Sequence, residues 1–316
     1  MANTFSSLFG KPQGKRGAMM IVIGVTAALL VVSLLVLGIL GIVSAVRNKN
    51  VEEEPTAPTT NGVPAGFVTT TFEEGQLYRG LLIAVNDTYG YNADANANVE
   101  MITIQNGRAK IDNSSLYSSN ATQTLVQKEA LDALNTMLIA FYEATGDDNL
   151  WVNIGTNGAA TGIYAGGNTF ELRYTTGVEG AAKPAITESD TYDWIFTNAY
   201  KYGFVQMFEA PTAESGESDT EAVSQEHIFR YVGTVHAKAM QDKKIKTFDA
   251  YLSYLRDNTS ATKNLSVNAV DKKTYKVYYI AGDAQQVIPE KYKDSCVISG
   301  DNMSGYIVTY CTTTTK

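Results

Sequence analysis

The sequence predicts an α+β domain held outside a membrane by one N-terminal span, and three observations predict it. No charged residue occurs from Gly17 to Val46, a run rich in Ile, Val, Leu, Ala and Gly. Two long stretches, 124–145 and 189–202, repeat apolar residues at three- and four-residue steps, and short apolar or alternating runs lie between and before them. After Asn258 the helical periods give way to β-branched and aromatic runs. Helices and strands that segregate along the chain in this way make an α+β fold.

The elements follow in order. Residues 1–16 carry Lys11, Lys15 and Arg16 and no acid. Residues 17–46 exceed the ~20 apolar residues that cross a bilayer, and also the ~7–15-residue apolar core of a cleaved signal peptide. The segment therefore reads as a retained signal-anchor. Arg47 and Lys49 follow it, then Glu52, Glu53 and Glu54, so the basic excess lies on the N-terminal side, which should stay in the cytoplasm. Residues 47–66, with Pro55, Pro58 and Pro64 and no apolar period, read as a spacer. The folded domain is expected from Phe67 to Asn258, with a C-terminal β extension over 259–316.

Within that domain, Leu81–Asn86 and Val99–Ile104 read as strands, and Thr124–Thr145 as a helix ended by Gly146. Leu150–Ile154 reads as a strand. Ser189–Tyr202 reads as a helix that turns Tyr192, Ile195, Phe196 and Ala199 to one face and stops at Gly203. An acidic loop over 209–224 precedes Gln225-Glu226-His227-Ile228-Phe229-Arg230-Tyr231-Val232-Gly233. Two further helices are expected at 234–240 and 247–256, the second entered at Thr247. Strands are expected at 274–280 and 305–310.

The first 50 residues hold five basic and no acidic side chains. The remainder has 20 basic against 33 acidic residues, a formal charge of −13. An acidic ectodomain is a poor partner for nucleic acid. Cys296 and Cys311 flank a turn-rich stretch in a compartment that permits disulfides. They read either as a bridge across a hairpin, which is slightly favoured, or as two buried thiols.

The run Phe229 to Gly233 resembles the signature of the VanY-type D-alanyl-D-alanine carboxypeptidases of bacterial cell walls, which reads Glu-Pro-Trp-His-Phe-Arg-Tyr-Val-Gly. Further phrases match in order: Leu81–Asn86, Ala133–Leu138, Trp194 with Asn198–Phe204, His236-Ala237, and Phe248–Leu252. The resemblance spans roughly 77–256 and implies a Hedgehog/DD-peptidase-like α+β domain, a bacterial cell membrane location and zinc-dependent cleavage of wall stem peptides. It also implies where the chemistry should sit. The family's first His becomes Tyr164, its Asp becomes Glu171, its third ligand becomes Ile228 and its general base becomes Gln225. Its substrate-holding Arg becomes Asn157.

A catalytic zinc needs three protein ligands and a vacant position. Isoleucine cannot ligate, and glutamine cannot take a proton from bound water. The expectation is a pseudopeptidase without a cofactor that binds stem peptides or an envelope protein. The alternative is an active zinc enzyme with relocated ligands, Glu171, His227 and His236. His227 stands one residue out of frame, and an uninterrupted strand would turn it to the opposite face.

Ser260-x-x-Lys263 fits the nucleophile motif of penicillin-binding proteins, but Lys273-Thr274-Tyr275 fails the Lys-Thr-Gly that should accompany it. Among the 19 tyrosines, Tyr164, Tyr174, Tyr192 and Tyr231 are candidates to line a peptide cleft, with ordinary packing the commoner role for each.

Overall fold

The computed structural model describes residues 59–60, 62–111, 114–155, 158–188, 190–209 and 225–313. The expected span at 17–46, most of the spacer and Asn157 lie outside them. Among the described residues no helix is long and apolar enough to cross a membrane.

The first half holds β1 (Phe67–Thr69), β2 (Met101–Thr103), α1 (Ile104–Gly107), β3 (Ser118–Ser119), β4 (Leu125–Gln127), α2 (Lys128–Thr145), β5 (Leu150–Asn153) and β6 (Thr169–Tyr174). Then follow α3 (Asp193–Asn198), β7 (Phe204–Gln206), β8 (Ile228–Tyr231), α4 (Thr234–Lys243) and α5 (Phe248–Asn258). The C-terminal strands are β9 (Leu265–Asn268), β10 (Thr274–Ala281), β11 (Val287–Pro289), β12 (Val297–Gly300) and β13 (Gly305–Cys311).

A five-stranded sheet runs β7-β8-β6-β5-β3, antiparallel except for the β3–β5 pair. Successive side chains on a strand face opposite ways. Val152, Phe170, Leu172 and Phe229 therefore point to one face, where Leu131, Leu134, Leu138 and Phe141 of α2 meet them in a dry core. Each such aromatic or leucine contributes ~1.5–3 kcal/mol by leaving water. Ile228 turns to the other face and joins a second core with α4, α5, Val277 and Ile307.

The helix expected from Thr124 begins at Lys128, because Leu125–Gln127 pair with Met101–Thr103 as a two-stranded ladder. Gly146 and Gly203 end their helical segments in left-handed backbone, at φ 74° and 87°. A side chain at Gly203 would also meet the Tyr231 ring. The second helix is only α3, flanked by 3₁₀ turns at Asp190–Tyr192 and Ala199–Tyr202. The Thr247 hydroxyl accepts from Ala250 N at the entry to α5, as expected.

Leu81–Asn86 is not a strand. Leu82 to Val85 are buried, and several of their backbone groups bond partners far along the chain. Arg230 donates to Ile83 O at 2.7 Å, Ser299 Oγ accepts from Leu82 N at 3.0 Å, and Ala84 N bonds Asp301 O at 2.9 Å. An apolar run signals burial, and partners distant in sequence decide whether it pairs as a strand.

The C-terminal strands form a second sheet, β9-β10-β13-β12, and residues 57–316 make one compact unit. Leu265, Val267 and Val277 pack with α4 and α5, and β1 pairs with β11. Cys296 and Cys311 are free thiols. Val297 stands opposite Thr309 and Cys311 opposite Tyr275, so the hairpin register does not set the two cysteines against each other. The bridge favoured from sequence is therefore corrected to two thiols.

Candidate functional site

The sheet register places Glu171 of β6 directly opposite Asn153 of β5 on one side and Ile228 of β8 on the other. Cross-strand neighbours of this kind stand ~4.5–5.5 Å apart at Cβ. Glu171 is thus flanked on the sheet face turned away from α2. Arg173 lies two residues along β6 on that same face. A 3₁₀ turn at Gly162–Tyr164 and the loop carrying Asp87 complete an open cleft of about 760 Å³. Tyr164, Glu171, Gln225, His227 and Ile228 all line it.

The Glu171 carboxylate is shared among three side chains. Its Oε1 accepts from Arg173 Nε at 2.7 Å, lies 2.6 Å from a second nitrogen of the same guanidinium, and meets His227 Nε2 at 2.9 Å. Its Oε2 accepts from Asn153 Nδ2. Burial pushes the Glu171 pKa up, but the hydrogen bonds from His227, Arg173 and Asn153 and the Arg173 charge outweigh burial and hold it at about 2. Burial, then the Glu171 charge, push the Tyr164 phenol well above its ordinary value. That phenol is therefore neutral at physiological pH.

His227 does not turn away from this face, as strand alternation predicts. The strand begins only at Ile228, and Glu226 and His227 lie in a turn closed by Ile228 N to Gln225 O at 3.1 Å. Alternation does not apply there, and the imidazole reaches Glu171. Its Nδ1 and the Oδ1 of Asn153 are buried without partners.

His236 does not line the cleft. It lies in the second core, with Nδ1 2.9 Å from the Tyr251 hydroxyl and Nε2 3.2 Å from Thr309 Oγ1. Burial alone lowers its pKa to about 4. Tyr174 and Tyr192 stack on each other, and Tyr231 donates to Glu129 at 2.7 Å, so of the four candidate tyrosines Tyr164 is the one in the cleft. Ser260 and Lys263 close a surface turn on each other.

No protein-family model and no curated protein matches the chain. Among solved structures, the vancomycin-resistance D,D-dipeptidase VanXYg, in complex with a D-Ala-D-Ala phosphinate analogue, matches with a TM-score of 0.55 at 18% identity. The match covers 78% of this chain and 99% of that one. The chain has a VanY-type peptidase fold. Weaker overlaps occur with the LD-carboxypeptidase LdcB (TM-score 0.36, 21% identity, 62% of this chain and 92% of that one) and with a zinc-bound variant of the D,D-pentapeptidase VanY (0.31, 16%, 54% and 98%).

In this VanY-type fold the donors present do not fit a catalytic zinc. Glu171 has both oxygens committed, His227 Nε2 is committed to Glu171, Tyr164 is neutral and Ile228 has no donor atom. A dication would also sit against the Arg173 guanidinium, where like charges repel strongly in a partly dry cleft. Among the described residues no group of three His, Cys, Asp or Glu side chains could hold a metal ion. Sequence reading missed Arg173 and Asn153. The signal for Arg173 was its i+2 spacing from Glu171 on one strand face, whereas Asn153 needed the β5–β6 register.

Proposed function

We propose that this protein is a membrane-anchored, extracytoplasmic pseudopeptidase of the bacterial cell envelope, using a D,D-peptidase scaffold to bind wall stem peptides without cleaving them. One observation carries the reading: the cation in the cleft is internal. Arg173 supplies the positive charge that balances Glu171, and His227 completes the cluster. With Gln225 at the position of the general base and Ile228 at that of the third ligand, neither a metal hydroxide nor a proton acceptor is provided. The cleft nevertheless stays open at about 760 Å³. Two buried polar atoms of residues that line it, Asn153 Oδ1 and His227 Nδ1, have no partner, and polar groups of a bound peptide would satisfy them.

The competing reading is a zinc carboxypeptidase with relocated ligands. The 2.9 Å approach of His227 to Glu171 favours it, whereas the placement of His236 with Tyr251 and Thr309 opposes it. Elemental analysis of the purified full-length chain, run beside D-alanine release from a stem pentapeptide, separates the two. The expected result is zinc well below stoichiometry and no release above a blank. Stoichiometric zinc with turnover would overturn the proposal.

A further inference from the structure

A second groove, of about 570 Å³, lies beside the cleft and shares a loop with it: Asp87 lines the cleft and Thr88 lines the groove. Its lining includes Tyr78, Tyr89, Tyr91, Asn92 and Asp94 and no lysine or arginine. Tyr78 is 40% exposed, a large aromatic left in water. Among the described residues no hydrogen bond or ion pair engages the three phenol hydroxyls or the Asp94 carboxylate. They are free to meet a ligand.

The loop is braced by three asparagines, of which Asn302 also lines the groove. Asn302 donates to Ala84 O at 2.7 Å and to Gly90 O at 3.0 Å. Asn96 donates to Tyr78 O and Asn92 O, each at 2.8 Å. Asn86 Oδ1 accepts from Thr88 N and Tyr89 N, each at 2.9 Å. Such bracing lowers the entropy a ligand must overcome.

We propose that this groove is a carbohydrate subsite that takes an uncharged pyranose chain. Aromatic faces cover the C–H faces of sugar rings, and phenol, amide and carboxylate groups at their edges bond the hydroxyls. Tyrosine provides both functions at low entropic cost. The absence of any basic side chain disfavours phosphates and other anions. The volume lies within the ~300–1,000 Å³ range of small-ligand sites and exceeds what a single methylated ammonium group needs. Beside a stem-peptide cleft, the chain would be the glycan that carries the peptide. That identity rests on the proposed function, whereas the sugar chemistry does not.

The test uses the full-length chain in a non-glycosidic detergent and three probes: a peptide-free β-1,4-linked N-acetylglucosamine oligomer, a sugar-free stem pentapeptide, and tetramethylammonium. Calorimetric titration should show saturable binding of the oligomer. Tyr78→Ala and Tyr91→Ala should each weaken it about fivefold or more, with pentapeptide binding and melting temperature unchanged. Tyr78→Phe should retain most of the affinity. No saturable binding of the oligomer, or binding indifferent to both alanine variants, overturns the proposal, as does tetramethylammonium competing for the site. Oligomer binding without pentapeptide binding upholds the subsite and counts against the stem-peptide reading. The reverse result removes the subsite alone.

Discussion

The two histidines sit in two regions built on different principles. In the turn before β8, His227 faces a carboxylate that also holds a guanidinium and a carboxamide, at the edge of an open cleft. Between α4 and the C-terminal sheet, His236 faces only the hydroxyls of Tyr251 and Thr309 in a dry core. The first cluster is charged and keeps two buried polar atoms unpaired, and the second is neutral and satisfied. The satisfied network fastens the C-terminal sheet to the domain.

The largest effect is expected where charge is balanced in the cleft. Glu171→Gln leaves the Arg173 guanidinium without its anion and should cost about 2–3 kcal/mol in urea unfolding, reduced from a fully buried pair because Arg173 is partly exposed. A loss within 0.5 kcal/mol would mean that the cluster is an ordinary surface contact. Next, His236→Leu removes a partner from two buried hydroxyls and should cost about 1–3 kcal/mol.

Acid separates the two regions. The folded pKa of His236, about 4, lies below the ordinary 6.5, so its contribution is present above pH 6.5 and is lost as pH falls toward 4. That of Glu171, about 2 against 4.5, is present above pH 4.5 and is lost as pH falls toward 2. In a series of unfolding curves, His236→Leu should flatten the slope between pH 6.5 and 4 while leaving the lower one. An unchanged upper slope would show that another group carries it.

Asn302→Ala, which frees Ala84 O and Gly90 O, should cost about 1–2 kcal/mol and raise hydrogen exchange in residues 84–92. Protection equal to the parent chain would show that the loop is held without it. The smallest effect is expected from reductant, which should leave the melting temperature unchanged, with both cysteines titrating as thiols once the chain is unfolded. A reductant-dependent melting temperature would reveal a bridge.

Much of the fold was legible in sequence because its signals are local. Leu131, Leu134, Leu138 and Phe141 announced α2, and Gly146 and Gly203 marked the ends they form. The five-residue frame from Phe229 to Gly233 and the phrases around it pointed to the architecture that the VanXYg match supports. Tyr164, Glu171, Gln225 and Ile228 were placed together by resemblance, and they do line one cleft. Leu81–Asn86 was misread because its hydrogen-bond partners, Arg230, Ser299 and Asp301, lie 147 residues or more along the chain.

The sequence by itself determined which groups the site can use: no ligand at Ile228, no base at Gln225, one carboxylate at Glu171. These are properties of side chains and hold in any conformation. Only the tertiary structure decided what that carboxylate does. The register that sets Glu171 beside Asn153, and the turn that swings His227 back before β8 begins, bring donors from two strands and a turn onto one carboxylate. Such convergence depends on strand pairing and on where a strand starts, and neither is encoded in residue spacing alone.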